Sequence, residues 1–289
     1  MYNGLVSQTT LFPTKPKGQL LKWVGNKYKY AHIITSYFPN DYNKYLEPFV
    51  GTGAILATLS PNNGVAGDVL EPLIDLWTLL QDEPQTLIDY YSTIIPRFNA
   101  DRKAVYLEIR EKFNRSPNPL DLLILSRTCY GGVVRFTKEG TISTPIGPHK
   151  PISPKTFAAR AIEWRERIKH TLFSHRSFTE TMALAENGDL VYCDPPYIDS
   201  QAILYGAQDF DFETLIEQIW RCKKKGARVA LSIDGKKKSG KKIIELQIPP
   251  GLFEKEVYLS GGSSMLKRFQ NGGEEMVGED VQERLLLTW

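Results

Sequence analysis

Short apolar runs alternate along most of this chain with segments in which apolar side chains recur every three or four residues. Apolar runs bounded by Gly, Pro or charged residues are typical of buried strands, and the longer repeat is typical of amphipathic helices. Strands that alternate with helices favour an α/β sheet with helices packed on its faces. The runs that predict strands cover residues 45–49, 64–68, 172–178, 190–193, 227–232, 253–260 and 283–289.

Helical periodicity follows several of these predicted strands. It also fills the long stretch between the second strand, 64–68, and the third, 172–178. In that stretch the alternation of strands and helices stops, which predicts an inserted, mainly helical subdomain. We expect 18–75 and 176–289 to form one domain and 76–175 to form the other. The predicted helices cover residues 54–59, 71–81, 84–95, 104–113, 120–126, 154–168, 182–186 and 212–224, with a further one that ends near Tyr37.

The insertion contains a segment, 127–150, that predicts a β-hairpin with its turn at 138–140. Its cationic side chains stand among aromatic, Gly, Ser and Thr residues, a mixture that suits phosphate and base-edge contacts on DNA. A solvated surface hairpin is the alternative interpretation. The candidate DNA-binding residues of this segment are Arg127, Tyr130, Arg135 and Lys138.

Two neighbouring strand ends carry residues that suit a nucleoside. The strand at 45–49 runs into Val50-Gly51-Thr52-Gly53 ahead of a predicted helix, and glycines at such a turn let the backbone approach a ligand closely. The strand at 64–68 ends in Asp68, and a carboxylate at the tip of the second strand binds ribose hydroxyls in dinucleotide folds. Together the glycines and the acid predict a nucleoside-binding site.

The apolar run at 190–193 ends abruptly in Asp194-Pro195-Pro196-Tyr197. Two prolines stop a strand, because proline lacks the backbone N–H that a sheet needs. Ligands of open α/β sheets bind where the strands end, so we expect Asp194 and Tyr197 to face a site. A Pro-Pro turn with no function is the alternative interpretation.

Composition narrows the class of protein without identifying it. The chain has 289 residues, of which 42% are hydrophobic and 24% charged, as in a globular protein with a sizeable core. The net charge of +3 permits a polyanionic partner without requiring one. No apolar run reaches the roughly 18 residues of a membrane span, and 1–21 lacks the apolar core of a signal peptide. We therefore expect a cytoplasmic protein with no membrane partner.

The cysteines and histidines give no indication of a metal site. Cys129, Cys193 and Cys222 lie far apart, and the four histidines are equally scattered. Structural zinc sites use closely spaced pairs of such ligands. We expect no metal, and cysteines that remain reduced.

Three blocks, taken in this order, resemble the DNA adenine-N6 methyltransferases of the bacterial DNA adenine methylase-like family, also described as D12 or alpha amino-methyltransferases. The blocks are Lys22-Trp23-Val24-Gly25-Asn26-Lys27, then 47–53, then 194–197. The segment 127–132 is also similar to the family's recognition hairpin, and the likeness extends from about 18 to 289. Two positions depart from the pattern, since relatives more often have Gly in place of Asn26 and a larger residue in place of Gly132.

The resemblance implies an α/β fold, with the Rossmann-like mixed seven-stranded sheet of class I methyltransferases. It also implies an inserted, mainly helical target-recognition domain that carries a β-hairpin. The implied cofactor is S-adenosyl-L-methionine, and the implied macromolecular partner is double-stranded DNA, bound by 76–175. By the same likeness, the cofactor-binding residues are Trp23, Lys27, Phe49, Gly51, Gly53, Asp68 and Asp194, and the catalytic residues are Asp194, Pro195 and Tyr197.

These catalytic residues suit methyl transfer to the N6 amine of an adenine. The Asp194 carboxylate and the Pro195 carbonyl would accept the two N–H groups and stabilise the positive charge that develops on nitrogen. The base must first be flipped out of the duplex, and Tyr197 would then stack on it. No metal is needed for this chemistry.

Two other functions stay open at this point. One is an S-adenosylmethionine-dependent RNA or protein-amide N-methyltransferase, and the other is a non-catalytic DNA-binding module. The sequence gives neither the target site nor whether a restriction endonuclease shares it. We expect a monomer.

Overall fold

The structure is a computed structural model, and it describes residues 14–137, 139–196, 210–234, 248–260 and 282–289. Two of the expected site residues, Lys138 and Tyr197, lie outside these ranges. Their roles therefore stay predictions.

Within the described residues, seven strands form one mixed sheet at the centre of the molecule. The strands are β1 Tyr45–Glu47, β2 Gly64–Asp68, β3 Thr171–His175, β4 Leu190–Cys193, β5 Arg228–Asp234, β6 Lys255–Ser260 and β7 Gln282–Leu287. Their order is β3-β2-β1-β4-β5-β7-β6, with β1 to β5 parallel and β7 antiparallel to both of its neighbours. The expected Rossmann-like mixed seven-stranded sheet is confirmed.

The order of the strands places a crevice between β1 and β4. After β1 the chain adds β2 and β3 on one side, and it later adds β4 and β5 on the other. Strands of this central part are buried throughout, as expected when helices cover both faces of a parallel sheet. The point at which the strand order reverses is where open α/β sheets bind ligands.

Helices cover the sheet and fill the insertion between β2 and β3. They are α1 Ala31–Ser36, α2 Ala54–Leu59, α3 Glu71–Asp82, α4 Pro84–Ala100, α5 Arg102–Arg115, α6 Pro119–Thr128, α7 Pro154–Ile168, α8 Phe178–Ala183 and α9 Phe212–Lys224. Helices α2, α7 and α9 have the predicted bounds. Short 3-10 turns lie at Lys27–Lys29 and Tyr130–Gly132.

The region around β3 differs from the prediction. The strand ends at His175, and a helix begins where the sequence predicted the strand to continue to 178. Ser177 and Glu180 form a reciprocal capping box, which satisfies two backbone N–H groups and starts α8 at this point. The helix predicted at 182–186 therefore lies four residues too late.

The insertion and the sheet share one continuous apolar core. Trp77 of α3 stacks on Trp164 of α7 with ring centroids 5.7 Å apart, and it also stacks on Phe173 of β3 at 6.2 Å. The segment 76–175 includes β3, which pairs with β2 in the sheet. The sheet thus takes its edge strand from the end of the segment expected to recognise DNA.

The predicted hairpin forms only in part. Phe136 and Ile142 make an antiparallel bridge at the predicted place, but no extended ladder follows. Two backbone hydrogen bonds flank the bridge, from Ser143 N to Arg135 O at 3.0 Å and from Thr137 N to Thr141 O at 2.8 Å. Beyond them, Arg135 N donates to the side chain of Thr144 at 2.7 Å, and Ile142 N donates to Asn114 Oδ1 on α5 at 2.7 Å. In its described residues, this segment is therefore a short hairpin of one bridge that is fixed to α5, and it does not extend into a longer ribbon.

Candidate active site

A cavity of about 220 Å³ opens at the carboxyl ends of β1, β2 and β4. It lies at the reversal of the strand order, and segments from distant parts of the sequence meet there. Seven of the residues expected at the site line this cavity: Trp23, Lys27, Phe49, Gly51, Asp68, Asp194 and Pro195.

The turn after β1 forms one wall. Gly51 and Gly53 both adopt left-handed backbone conformations, with φ of +45° and +60°. Val50 N donates to Gly67 O at 3.0 Å, and Gly53 N donates to Val50 O at 2.7 Å, so the turn is tight and fixed to β2. The expected site residue Gly53 does not line the cavity. Its α-carbon faces the core, where an added Cβ would lie 3.4 Å from Trp77, so Gly53 shapes the turn and begins α2.

Asp68 at the tip of β2 is locked to the same turn. Its Oδ2 accepts a hydrogen bond from Gly51 N at 3.0 Å, and its Oδ1 accepts one from Leu70 N at 3.2 Å. The side chain is 5% exposed and lines the cavity. The glycine turn and the acid thus form the single unit that the sequence predicted.

Lys27 lies between two carboxylates at the opposite wall. Its Nζ is 2.7 Å from Asp194 Oδ1 and 3.3 Å from Glu283 Oε1, and it donates to Gly25 O at 3.2 Å. Burial disfavours the ammonium, but the two carboxylates outweigh that effect and raise the pKa of Lys27 above its usual value. Lys27 therefore keeps its charge inside the fold.

Asn26 fixes the start of the 3-10 turn that carries Lys27. Its side chain accepts a hydrogen bond from Tyr28 N at 2.8 Å and so caps the 3-10 turn that begins at Lys27. Asparagine is a favoured capping residue because its short side chain reaches the backbone N–H groups at the start of a turn. The departure from glycine at this position is thus accommodated by a local hydrogen bond.

A second buried carboxyl group, Glu47, lines the cavity beside Asp194. It is 2% exposed, and the Tyr45 hydroxyl donates to its Oε2 at 2.6 Å. Burial raises the pKa of Glu47 to about 8, against the opposing hydrogen bond from Tyr45 and with added repulsion from Asp194. At neutral pH, Glu47 is mostly protonated.

Three aromatic rings form the apolar part of the cavity. Phe49 stacks on Phe178 at 5.2 Å, and Phe210 approaches the two rings at 5.9 and 5.7 Å. Phe178 begins α8, and Phe210 lies directly after the undescribed segment that includes Tyr197. Such a wall suits one face of a planar ring.

Comparison of the sequence with known proteins identifies a family. The model of the D12 class N6 adenine-specific DNA methyltransferase family matches residues 23–247. The chain belongs to this family. The resemblance drawn from the three sequence blocks is thereby confirmed.

Several bacterial relatives of this chain are named DNA adenine methylase. The chain is 32% identical to the one from Vibrio cholerae and 29% identical to the one from Escherichia coli K12. Each match covers 189 residues, which are 63% of this chain and 66% of the relative, just under two thirds. The relative from Serratia marcescens is 31% identical over 68% of its length. A solved rRNA methyltransferase, aviRa from Streptomyces viridochromogenes, aligns with 15% identity and a TM-score of 0.36, too low to support any argument.

The expectation that Arg127 binds DNA needs correction. Arg127 is 5% exposed, and its guanidinium donates to the carbonyl oxygens of Gln19 at 3.2 Å and Leu20 at 2.5 Å. Burial lowers the pKa of Arg127 from its usual value. An arginine enclosed by backbone carbonyls inside the fold is not available to a phosphate, so its role is structural.

Tyr130 and Arg135, by contrast, are exposed at the surface of the partial hairpin. Gly132 lies between them, with a φ of +66°, and an added Cβ would lie 2.7 Å from Lys22 Cβ. A larger residue there would displace Lys22. The glycine therefore allows the hairpin to pack on the segment that leads to Trp23, and this packing explains the departure from the family pattern.

Sequence reasoning assigned no site role to Glu47, Phe178 and Phe210, which line the cavity, or to Glu283, which pairs with Lys27. Glu47 stands inside a recognised block, so its position beside the glycine turn was a usable signal. The two phenylalanines and Glu283 lie outside every motif, and only the packing of α8, α9 and β7 brings them to the site.

Two further findings bear on cofactors and partners. Across the described part of the chain, no group of three His, Cys, Asp or Glu residues is arranged to hold a metal ion. None of the helices in the described ranges combines the length and the apolar character needed to cross a membrane.

Proposed function

We propose that this chain transfers a methyl group from S-adenosyl-L-methionine to N6 of an adenine flipped out of double-stranded DNA. Membership of the D12 family supports the reaction and the base. The observation that carries the proposal is the position of Asp194, whose carboxylate ends β4 in the same cavity as the glycine turn and Asp68. The carboxylate that could accept an amine and the residues that could bind a nucleoside therefore line the same cavity.

The residues of the cavity fit S-adenosylmethionine. Asp68, fixed to Gly51, offers carboxylate oxygens to ribose hydroxyls, and the left-handed turn lets the backbone come close. The aromatic wall of Phe49, Phe178 and Phe210 suits a purine ring. When bound, this cofactor supplies an electrophilic methyl group on a positively charged sulfur.

The chain's own residues would prepare the amine. The lone pair of an exocyclic adenine nitrogen is delocalised into the ring, which makes it a poor nucleophile. Hydrogen bonds to the Asp194 carboxylate and the Pro195 carbonyl hold the amine in place, and the carboxylate stabilises the developing ammonium. Lys27 holds Asp194 Oδ1 at 2.7 Å and so fixes the orientation of the acid.

The macromolecular part of the proposal rests on the resemblance. A base inside a duplex cannot reach this cavity, so it must leave the stack, and Tyr197 is the residue expected to stack on it. We propose Tyr130, Arg135 and Lys138 for DNA contacts and 76–175 for target recognition. A cytoplasmic location and a monomeric state remain predictions, and a restriction endonuclease that shares the target stays open.

Asp194→Asn tests the mechanism. The substitution keeps the size of the side chain and removes its charge, so we expect methyl transfer to fall about a hundredfold or more, a typical cost of losing one electrostatic stabiliser. Transfer of labelled methyl groups to duplex DNA, with detection of N6-methyladenine by mass spectrometry, measures it. Asp75→Asn, on the exposed face of α3, is the matched control and should keep full activity.

The same assay separates the alternatives. Full activity of Asp194→Asn would refute the mechanism. Methyl uptake by RNA or protein in place of DNA would favour the RNA or protein-amide methyltransferase. DNA binding without any binding of S-adenosylmethionine would favour the non-catalytic module.

A further inference from the structure

The segment 142–149, the second half of the partial hairpin, lies between two other parts of the insertion. On one side it contacts the first half of the hairpin, which carries Arg135, and Ser143 N donates to Arg135 O at 3.0 Å. On the other side it contacts helix α5. The position of Arg135 therefore depends on what holds 142–149.

Two side chains of α5 bind the ends of this segment. The Arg102 guanidinium donates to the carbonyl oxygens of 147, 148 and 149, at 2.7, 3.1 and 2.9 Å. At the other end, Asn114 donates to Ile142 O at 3.1 Å and accepts a hydrogen bond from Ile142 N at 2.7 Å. One residue that exchanges both backbone bonds in this way acts as a neighbouring strand would. Helix α5 thus fixes 142–149 through its backbone.

Thr144, in the middle of the segment, connects α5 to the backbone of Arg135. Its carbonyl oxygen accepts a hydrogen bond from the Tyr106 hydroxyl at 2.7 Å. Its own hydroxyl accepts one from Arg135 N at 2.7 Å and donates to Val133 O at 2.9 Å. Thr144 is 3% exposed and Tyr106 is 1% exposed. Two hydrogen bonds through one buried residue therefore join α5 to the backbone of Arg135.

The side chain of Arg135 is exposed, so it can reach a ligand that the buried residues behind it cannot touch. Arginine reads a base through two parallel hydrogen bonds, and such a contact is lost when its support is loose by about 1 Å. Contacts to phosphate carry no sequence information and do not need the same precision. Support of the Arg135 backbone should therefore matter more for the choice of DNA sequence than for general affinity.

We propose that Tyr106 and Thr144 are positioning residues: through the contact of α5 with 142–149 they hold Arg135 in place for a base of the target site, and so set the discrimination between DNA sequences. This inference rests on the proposed function, because it assumes that the chain methylates DNA and that Arg135 contacts it.

Tyr106→Phe tests the inference from a side chain that is buried in the fold. Sequencing of DNA methylated by the parent identifies the target site, and kcat/KM is then measured on duplexes with that site and with one altered base pair. We expect the ratio of the two values to fall about tenfold, within the range that the loss of one contact to a base costs. The fall should come from a higher KM on the target, with kcat and the Kd for S-adenosylmethionine unchanged.

Thr144 provides a second, independent pair of variants. Thr144→Val has nearly the same shape and lacks the hydroxyl that accepts from Arg135 N, so we expect the same fall in discrimination. Thr144→Ser keeps the hydroxyl and should restore most of the ratio. Failure of both Tyr106→Phe and Thr144→Val to fold would make the two residues structural and overturn the proposal.

Two matched controls separate positioning from a general loss of stability. Tyr91→Phe removes another buried hydroxyl of the insertion, which donates to Ile152 O at 2.9 Å. Thr35→Val removes a buried hydroxyl that donates to Ala31 O at 2.9 Å within α1. Both controls should keep the discrimination of the parent. An equal fall in the controls would show that any lost buried hydrogen bond has this effect and would overturn the proposal.

A double-mutant cycle shows whether the effect passes through Arg135. Arg135→Met should itself lower discrimination, and Tyr106→Phe should then cause no further fall, because residues that act through one contact are not additive. A full additional fall in the double variant would overturn the proposal.

The same measurements distinguish the inference from the proposed function. A parent protein that methylates no DNA would refute the proposed function. An active parent whose discrimination is unchanged in both Tyr106→Phe and Thr144→Val would refute only the inference on these two residues.

Discussion

At the scale of single residues, two of the acids that line the cavity, Asp194 and Glu47, have different electrostatic surroundings. Asp194 forms a salt bridge with the ammonium of Lys27, with Oδ1 and Nζ 2.7 Å apart. Glu47 lies deeper, with a pKa raised to about 8 by burial, since the hydrogen bond from Tyr45 only partly opposes that effect. One acid can therefore stabilise a cation at neutral pH, and the other is held mostly neutral.

Glu47 predicts a particular dependence of stability on pH. Its pKa is 4.5 when unperturbed and about 8 in the fold, so its contribution is fully present below about pH 4.5 and is lost as pH rises to 8. Glu47→Gln removes this titration. We expect the free energy of unfolding of the parent to fall relative to the variant across this window, by an amount on the order of a few kcal/mol.

Denaturant unfolding of both proteins at a series of pH values measures this difference. Glu213→Gln, on the exposed face of α9, is the control and should show the pH dependence of the parent. If the free energies of unfolding of Glu47→Gln and the parent differed by a constant amount from pH 4.5 to 8, the raised pKa of Glu47 would be contradicted.

At the scale of elements, the segment before the cavity is fastened to the helical insertion. Arg127 of α6 holds the carbonyl oxygen of Leu20, and Trp164 Nε1 of α7 donates to Gly18 O at 2.8 Å. Trp23 and Lys27 follow directly and line the cavity. The insertion thus supports one wall of the cavity as well as carrying the predicted DNA-binding surface.

Arg127 and Arg135 should accordingly give opposite results when changed to Met. Arg127→Met leaves buried carbonyl groups without their donor, so we expect a loss of about 1–3 kcal/mol in the free energy of unfolding. Arg135→Met should leave stability unchanged, weaken DNA binding and lower the salt dependence of that binding. Chemical denaturation and DNA titration at several salt concentrations measure the two effects.

One result with these two variants would contradict the structural role of Arg127. If Arg127→Met kept its stability and lost DNA affinity with a reduced salt dependence, Arg127 would be a phosphate contact and the correction made from its burial would be wrong.

At the scale of the whole molecule, the cavity depends on the complete sheet. Strands from both halves of the sequence meet at the reversal between β1 and β4, and the antiparallel return of β7 beside β5 brings Glu283 to Lys27. The helical insertion and the sheet also share one core. Binding at the cavity should therefore affect elements that are remote in sequence.

Cofactor binding provides the test at this scale. S-adenosylmethionine at a hundred times its Kd should add about 2.7 kcal/mol to the free energy of unfolding. Hydrogen exchange should slow at 22–27 and in β7 as well as at the turn 50–53. If hydrogen exchange slowed only at 50–53, cofactor binding would not be coupled to 22–27 and β7.

Much of the fold and part of the site could be predicted from the sequence. The glycine turn and Asp68 lie together as expected, because both follow directly from where two neighbouring strands end. The boundary of α8 was wrong, since the capping box at Ser177 outweighed the apolar run. Arg127 was misassigned because a charged residue in a basic segment gives no local sign that it is buried.

Local patterns along the chain were enough to predict the features that depend on neighbouring residues: the strands, the turn at Gly51, and the acid that follows β4. Strand propensity, glycine conformations and proline stops act over a few residues, so a linear pattern reports them. The packing of the chain was needed to show that Arg127 is internal, that Glu47 is mostly protonated, and that Glu283 lies 3.3 Å from Lys27. Burial and Coulomb interactions depend on distances in space, and those distances are set by the order of the strands rather than by the order of the residues.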